Sequence, residues 1–398
     1  MTIPTLTLDP FDEAFLADPY AHHDALRDAG AVVWLEARQC YGIARHAEVQ
    51  AVLKDHETFV SGRGVGLADF SKEEPWRPPS LLLETDPPVH DRTRGLMNKV
   101  ATLASLKEVR PSWLKKAEAL TNELVVRRSF DAVTDLAEIF PLSVFPDLIG
   151  LMDESREHLL PYGMATFNAF GPRNALFEST NATAAPTIAW IAKACERASL
   201  KPGGWGMATY AAADRGECTE EEAARLVRSF LSAGLDTTVN GIGHLLLAFA
   251  TFPDQWDKLR ARPELAKRAL DESLRWDSTA QTFFRTTACD ADISGVTIPE
   301  GAKVVLFLGA ANRDPRKWDR PQQFDIERAT SGHVGLGFGI HQCLGQMVAR
   351  MESEVLLEAL IPRVSKFRIS GNPVRRLNNT LHALKSLPLE LIPAGGTP

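Results

Sequence analysis

From Val89 to roughly Ala280 apolar residues recur at the three- and four-residue spacing of amphipathic helices, broken at Pro141, Pro146, Pro161, Pro172, Pro186, Pro253 and Pro263. That run takes up nearly half of the 398 residues, so the chain must build a large helical body. The flanks differ. Pro19 to Ala29 and His46 to Asp55 read as helices and Val32 to Ala44 alternates like a hairpin. Ser61 to Pro88 is too irregular for an element and too long for a simple turn. From Phe283 to Phe307 β-branched and aromatic runs surround turn signals at Ser294-Gly295 and Pro299-Glu300-Gly301, and a last helix is expected from about Leu344 to Leu360. The expected class is mainly α with a smaller β region, in one domain over residues 1–398, with loose tails at 1–5 and 394–398.

Composition narrows the function. Lys plus Arg number 44 against 51 Asp plus Glu, a formal charge of −7 that gives the whole molecule no electrostatic reason to bind nucleic acid. No basic segment followed by an apolar core opens the chain, and the longest apolar stretches are interrupted by Asp236, Asn240 and His244. The expectation is a cytoplasmic protein without a membrane anchor. Five cysteines, at 40, 195, 218, 289 and 343, are widely spaced and form no C-x-x-C, which argues against a disulfide framework, a zinc ribbon and covalent haem attachment. Any cysteine chemistry must come from a single thiol.

One cysteine stands out. In Gly335-Leu336-Gly337-Phe338-Gly339-Ile340-His341-Gln342-Cys343-Leu344-Gly345, three glycines precede it and one follows, as a backbone needs when it turns sharply against something flat or bulky. A helix start just beyond Cys343 would favour a thiolate, a soft ligand suited to iron. A lone cysteine in a glycine-rich loop is more often structural than functional. This loop, however, resembles the haem-binding loop of the cytochrome P-450 family, F-G-x-G-x-H-x-C-x-G, at Gly337, Gly339, His341, Cys343 and Gly345. Leu336 stands where that family has Phe.

Further motifs follow in the family's order. Glu272 and Arg275, one helical turn apart, are by themselves an ordinary ion pair. In position they resemble the family's helix pair that supports the cysteine loop, with Arg328 as third member. His90 and Arg94, at i and i+4 after Asp86-Pro87-Pro88-Val89, can reach one anionic group together. The resemblance makes them donors to haem propionates, with Arg285 and His341. Ser232-Ala233-Gly234-Leu235-Asp236-Thr237-Thr238 puts an acid and alcohols into an apolar helical run, where polarity needs a reason. It resembles the family's A-G-x-D-T-T motif, in which the backbone opens a groove for O2, the alcohol corresponding to Thr237 hydrogen-bonds the activated oxygen and the acid corresponding to Asp236 helps to deliver protons. The resemblance implies a triangular helical prism, with haem b (iron protoporphyrin IX) between a long central helix and the cysteine loop.

The pocket is partly legible as well. Ser229, Ser232 and Asp236 share the helix face carrying Thr237, with Arg228 adjacent; Arg77 and Ser80 lie in the irregular loop; Phe167, Phe170 and Phe283 offer flat walls, and Leu83 and Ala280 small ones. Singly, each is more ordinarily surface or core. Together W-R-P-P-S, F-N-A-F-G-P, R-S-x-L-S-A-G-L-D-T-T and Q-T-F-F-R-T-T look like a bacterial group of monooxygenases acting on para-substituted benzoates such as 4-methoxybenzoate. That likeness gives Arg77, Ser80, Ser229 and Ser232 as carboxylate binders with Arg228 close by, and phenylalanines sandwiching the ring. It implies O2 as co-substrate and electrons from a [2Fe–2S] ferredoxin fed by an NADH-dependent flavoprotein reductase, the ferredoxin docking near basic groups such as Arg350. Two other readings stay open at this level: a peroxygenase drawing oxygen from peroxide, and a haem-based binding or sensing protein without turnover.

Overall fold

The structure, a computed structural model, describes residues 3–395. Helices dominate the middle of the chain, and their ends carry the expected local chemistry. Thr219 caps the Glu220–Ala233 helix in a reciprocal capping box with Glu222, and three glutamates in its first turn complement the helix dipole. Thr102 caps Leu103–Arg127 and Asn174 caps Ala175–Asn181. The punctuating prolines fall in first turns or between helices, with one exception: Pro146 sits inside Ile139–Ile149.

The largest sheet has six strands in the order Thr5–Leu6, Val33–Leu35, Cys40–Ile43, Lys303–Phe307, Thr282–Thr287, Phe59–Val60. The expected hairpin is present, Val33 facing Gly42 across an antiparallel pair, and Lys303–Phe307 joins it in parallel with Tyr41 beside Val304. The N-terminal tail is shorter than expected. Thr5 pairs with Trp34 and Pro4 accepts the Trp34 N–H, because an open sheet edge there offers the chain backbone partners. At the other end Ala394 donates to Arg363; residues 1, 2 and 396–398 of the expected tails lie outside the described residues. The helical run is also interrupted once. Ser129–Asp131 forms a strand that pairs with Pro388–Pro393, which pairs in turn with Val364–Ile369. Those C-terminal strands lie beyond the region where sequence patterning pointed to β structure.

The core is built around Asp236–Thr251, where every residue from Thr238 to Leu246 is buried. It packs on Ala266–Trp276, which packs on Gln346–Leu360, which lies along Leu103–Arg127. The long central helix expected from the sequence is two helices, Glu220–Ala233 and Asp236–Thr251, separated at Gly234-Leu235. No helix among the described residues is long and apolar enough to cross a membrane.

Candidate functional site

Cys343 sits where the glycine loop folds back on itself, its N–H donating to the Leu336 carbonyl at 2.8 Å. Gly337 and Gly339 have φ of 71° and 72°, in the left-handed region. A Cβ on Gly339 would come within 2.4 Å of the Leu53 carbonyl, so no other residue fits against the end of the His46–Lys54 helix. The last helix begins at Gln346, two residues later than expected. Burial pushes the Cys343 thiol pKa up; the backbone N–H groups of Gly345 and Gln346 and the charges of Arg94 and Arg350 pull it down without reversing the shift. The expected thiolate preference of a helix start is therefore outweighed, and a sulfur in this setting gains its negative charge from a bound cation.

Near it four basic side chains, His90, Arg94, Arg285 and His341, converge. The rings of His90 and His341 meet edge to face with centroids 4.5 Å apart. The His341 Nδ1 lies 3.0 Å from the Leu82 carbonyl, while the Nε2 atoms of both histidines are buried without a hydrogen-bond partner. Burial lowers the His341 pKa to about 3, and the adjacent Arg285, His90 and Arg94 reinforce the shift. Arg285 is buried, gives one hydrogen bond to its neighbour's carbonyl, and is lowered to about 10 by burial, with Asp86 opposing. With Nδ1–H directed at the Leu82 carbonyl, the buried His341 Nε2 is a donor only in the protonated ring, a form that an anion placed among these desolvated cations would favour. A group bearing two carboxylates would supply that anion, and a metal it carried would find a soft ligand in Cys343: the residues present fit haem.

The break in the central helix follows from three side chains. A Cβ on Gly234 would meet the Phe145 ring at 2.3 Å, so the two segments are pressed together there. Thr237 Oγ1 donates to the Ala233 carbonyl at 2.8 Å and Thr238 Oγ1 to the Gly234 carbonyl at 3.3 Å, hydroxyls bonding back to the carbonyls around the gap. Asp236 is buried with its side chain against Gly163, and Asn240 Nδ2 donates to its carbonyl at 2.8 Å and to Oδ1 at 3.4 Å. Burial raises its pKa to about 7, Arg376 opposing and Glu138 adding to the rise. Arg376 and Glu138 lie 3.8 Å apart. The sequence offered no signal for either, since they come from distant segments.

The structure brings several expected substrate residues together. Ser80 Oγ and Ser229 Oγ are 3.4 Å apart, Arg228 donates to the Pro78 carbonyl at 2.6 Å, and Ser232 lies one turn on, donating to the Ser229 carbonyl. Phe170 bridges Phe167 and Phe283, with centroid distances of 5.8 and 5.9 Å, and these rings share a core cluster with Leu83 and Ala280. The Arg77 guanidinium lies 5.9 Å from the Phe170 centroid. It is not free: Glu84, a residue that sequence reading passed over, pairs with it at 2.8 Å.

Beneath the cysteine loop Glu272 and Arg275 are fully buried, joined by two hydrogen bonds of 2.7 and 2.9 Å, and Arg328 adds a third at 3.1 Å. Arg275 also donates to the carbonyls of Asn312, Pro321 and Gln323, so this group ties the segment leading into the loop to the Ala266–Trp276 helix. A cleft of about 510 Å³ opens on the outer side of the loop, lined among others by Arg268, Arg328, Leu336 and Arg350. Arg350 is paired with Asp271 at 3.1 Å. A further buried group, His244, Asp277 and His382, has the spacing of a metal site, but Arg375 donates to Asp277 at 2.9 Å and meets His244 Nε2 at 3.1 Å, supplying the positive charge itself.

Comparison with known proteins agrees with this geometry. Residues 207–391 match the family described as Cytochrome P450. Cytochrome p450 CYP199A2 of Rhodopseudomonas palustris is 54% identical, over 98% of this chain and 95% of that protein. The beta-dihydromenaquinone-9 omega-hydroxylase of Mycobacterium tuberculosis is 30% identical, over 97% and 78%. Among solved structures, that of cytochrome P450 CYP109Q5 from Chondromyces apiculatus superposes with a TM-score of 0.82 at 27% identity, covering 99% of this chain and 100% of that one.

Proposed function

We propose, for a chain that belongs to the cytochrome P450 family and is therefore a haem b monooxygenase, that its substrates are para-substituted benzoates. The characteristic reaction would be O-demethylation of 4-methoxybenzoate to 4-hydroxybenzoate and formaldehyde. The observation that carries this reading is the meeting of Arg77, Ser80, Arg228 and Ser229 beside the aromatic group Phe167, Phe170 and Phe283. An aromatic acid has the same two halves, a charged end and a flat body.

Bound haem supplies the oxidant made from O2 and two electrons. Cys343 is its iron ligand in this reading, and His90, Arg94, Arg285 and His341 hold its propionates. Arg77 with the Ser80, Ser229 and Ser232 hydroxyls fixes the carboxylate, Arg228 adds charge, and the rigid ring carries that constraint to the para carbon. Leu83 and Ala280 set the width of the slot. Asp236, with a pKa of about 7, can accept and release a proton at neutral pH, and Thr237 stands one residue away at the helix gap. Glu272, Arg275 and Arg328 keep the cysteine loop in place. One oxygen atom enters a methyl C–H bond, the other leaves as water, and the resulting hemiacetal parts into phenol and formaldehyde. The electrons come from a [2Fe–2S] ferredoxin, reduced by an NADH-dependent flavoprotein and docked at the arginine-lined cleft behind the cysteine loop.

Titrating the ferric protein with 4-methoxybenzoate tests the reading. Displacement of iron-bound water should shift the spectrum from low to high spin, and Arg77→Ala should weaken binding at least tenfold while leaving the carbon monoxide spectrum intact. No shift at millimolar ligand would exclude these substrates; unchanged affinity in Arg77→Ala would remove Arg77 from the site.

A further inference from the structure

The carboxylate end of the pocket already contains a carboxylate. Glu84 is 3% exposed, and one of its oxygens, Oε2, accepts both the Arg77 Nη1–H at 2.8 Å and the Ser80 backbone N–H at 2.7 Å. Arg77 and Ser80 are two of the groups assigned to the substrate's own carboxylate. The Ser80–Glu84 turn closes with the Glu84 N–H on the Ser80 carbonyl at 3.0 Å, and Ser80 Oγ accepts from the Leu82 and Leu83 amides. The turn thus supplies one backbone donor and Arg77 a second to a carboxylate that belongs to the protein itself.

The neighbouring charges are unequal. Arg225 and Arg228 donate to the carbonyls of Pro79 and Pro78, not to an acid. Three arginines thus lie around the turn, and Glu84 pairs with one of them, Arg77. Arg77 and Glu84 also line a common small cavity with Phe170, whose volume of about 20 Å³ holds on the order of one water. A cavity of that size has no room for a ligand's carboxylate.

We propose that Glu84 determines the affinity and charge selectivity of the pocket, as an internal carboxylate that competes with the substrate's for Arg77. This rests on the aromatic-acid reading of the pocket. In the free enzyme Glu84 satisfies Arg77 and holds the turn closed. An incoming carboxylate must draw the guanidinium toward itself against that hold and against the repulsion of a second negative charge within a few ångströms, in a region where water screens weakly. A neutral ligand of the same shape meets neither cost. Glu84 is accordingly a specificity-determining residue: it keeps the site from binding every small anion tightly and makes release of the anionic product easy.

The test is a ferric spin-state titration of the holoenzyme with two ligands, 4-methoxybenzoate and the neutral 4-methoxybenzamide. Glu84→Gln keeps an oxygen that accepts both hydrogen bonds and removes the charge. It should tighten 4-methoxybenzoate about tenfold and move the benzamide less than twofold. Glu84→Asp, which keeps the charge and loosens the hold on Arg77, should tighten the benzoate two- to fivefold and serves if the Gln variant does not retain haem. Weaker benzoate binding in these variants, or equal changes for both ligands, would show a merely structural residue and overturn the proposal. A wild type that responds to benzoate with variants of unchanged selectivity removes this proposal alone. A wild type that does not respond removes the substrate reading and this proposal with it.

Discussion

Asp236→Asn keeps the outline of the side chain at the helix gap and removes its proton exchange. Burial lifts this carboxyl from 3.8 to about 7 in the folded protein. Below the lower value it is neutral in both folded and unfolded chains and contributes no pH dependence. Between the two values the folded chain keeps a proton that the unfolded chain has lost, so stability falls as pH rises; above about 7 the slope disappears. Integrated from pH 5 to pH 8, this one group lowers the unfolding free energy by about 2.5 kcal/mol, taking each pKa unit as about 1.36 kcal/mol. Asparagine carries no such slope. Urea unfolding of the wild type and the variant, both as holoprotein, at these two pH values should show the difference between them moving by about 2.5 kcal/mol in favour of asparagine, other titrating groups cancelling in the comparison. The variant's ferredoxin-driven turnover should fall on the order of 10²-fold, the usual contribution of a placed acid–base group, with the ferric benzoate shift unchanged. Parallel stability profiles within about 0.5 kcal/mol would refute the claim that burial holds the proton on Asp236.

Cys343→Ser should abolish the red-shifted Soret band of the reduced carbon monoxide complex; its persistence would mean that another atom ligates the iron. Glu272→Gln leaves Arg275 and Arg328 without a counter-charge, and loss of one partner of a buried pair should cost about 3–5 kcal/mol, read as a lower urea midpoint and faster haem loss. Glu352 is fully buried, neither carboxylate oxygen has a partner, and burial raises its pKa well above the ordinary value. It is therefore held as the neutral acid, and Glu352→Gln should change stability by less than about 1 kcal/mol; a larger loss at pH 7 would mean that the charge is needed. Arg285→Leu should speed haem transfer to apomyoglobin, since it removes a buried cation that would pair with a haem carboxylate.

What the sequence determined was whatever is written locally. Helix periodicity, the Thr219–Glu222 cap, the hairpin around Gln39 and the φ demanded of Gly337 and Gly339 each depend on residues a few positions apart. The order of the motifs from His90 to Gly345 was legible for the same reason, as was the pairing of Glu272 with Arg275 across one turn. Tertiary structure decided the rest. Phe145, 89 residues away in the chain, lies against Gly234 where the central helix divides, and the Asp236 pKa is set by burial together with Arg376 and Glu138. Glu84 carries no sequence signal, since one acid seven residues beyond Arg77 in an irregular loop looks like any solvated side chain. Folding buries it and hydrogen-bonds it to that arginine and to Ser80. Charges in water are cheap and anonymous; enclosed together, each must have a partner, and only the fold determines which partner that is.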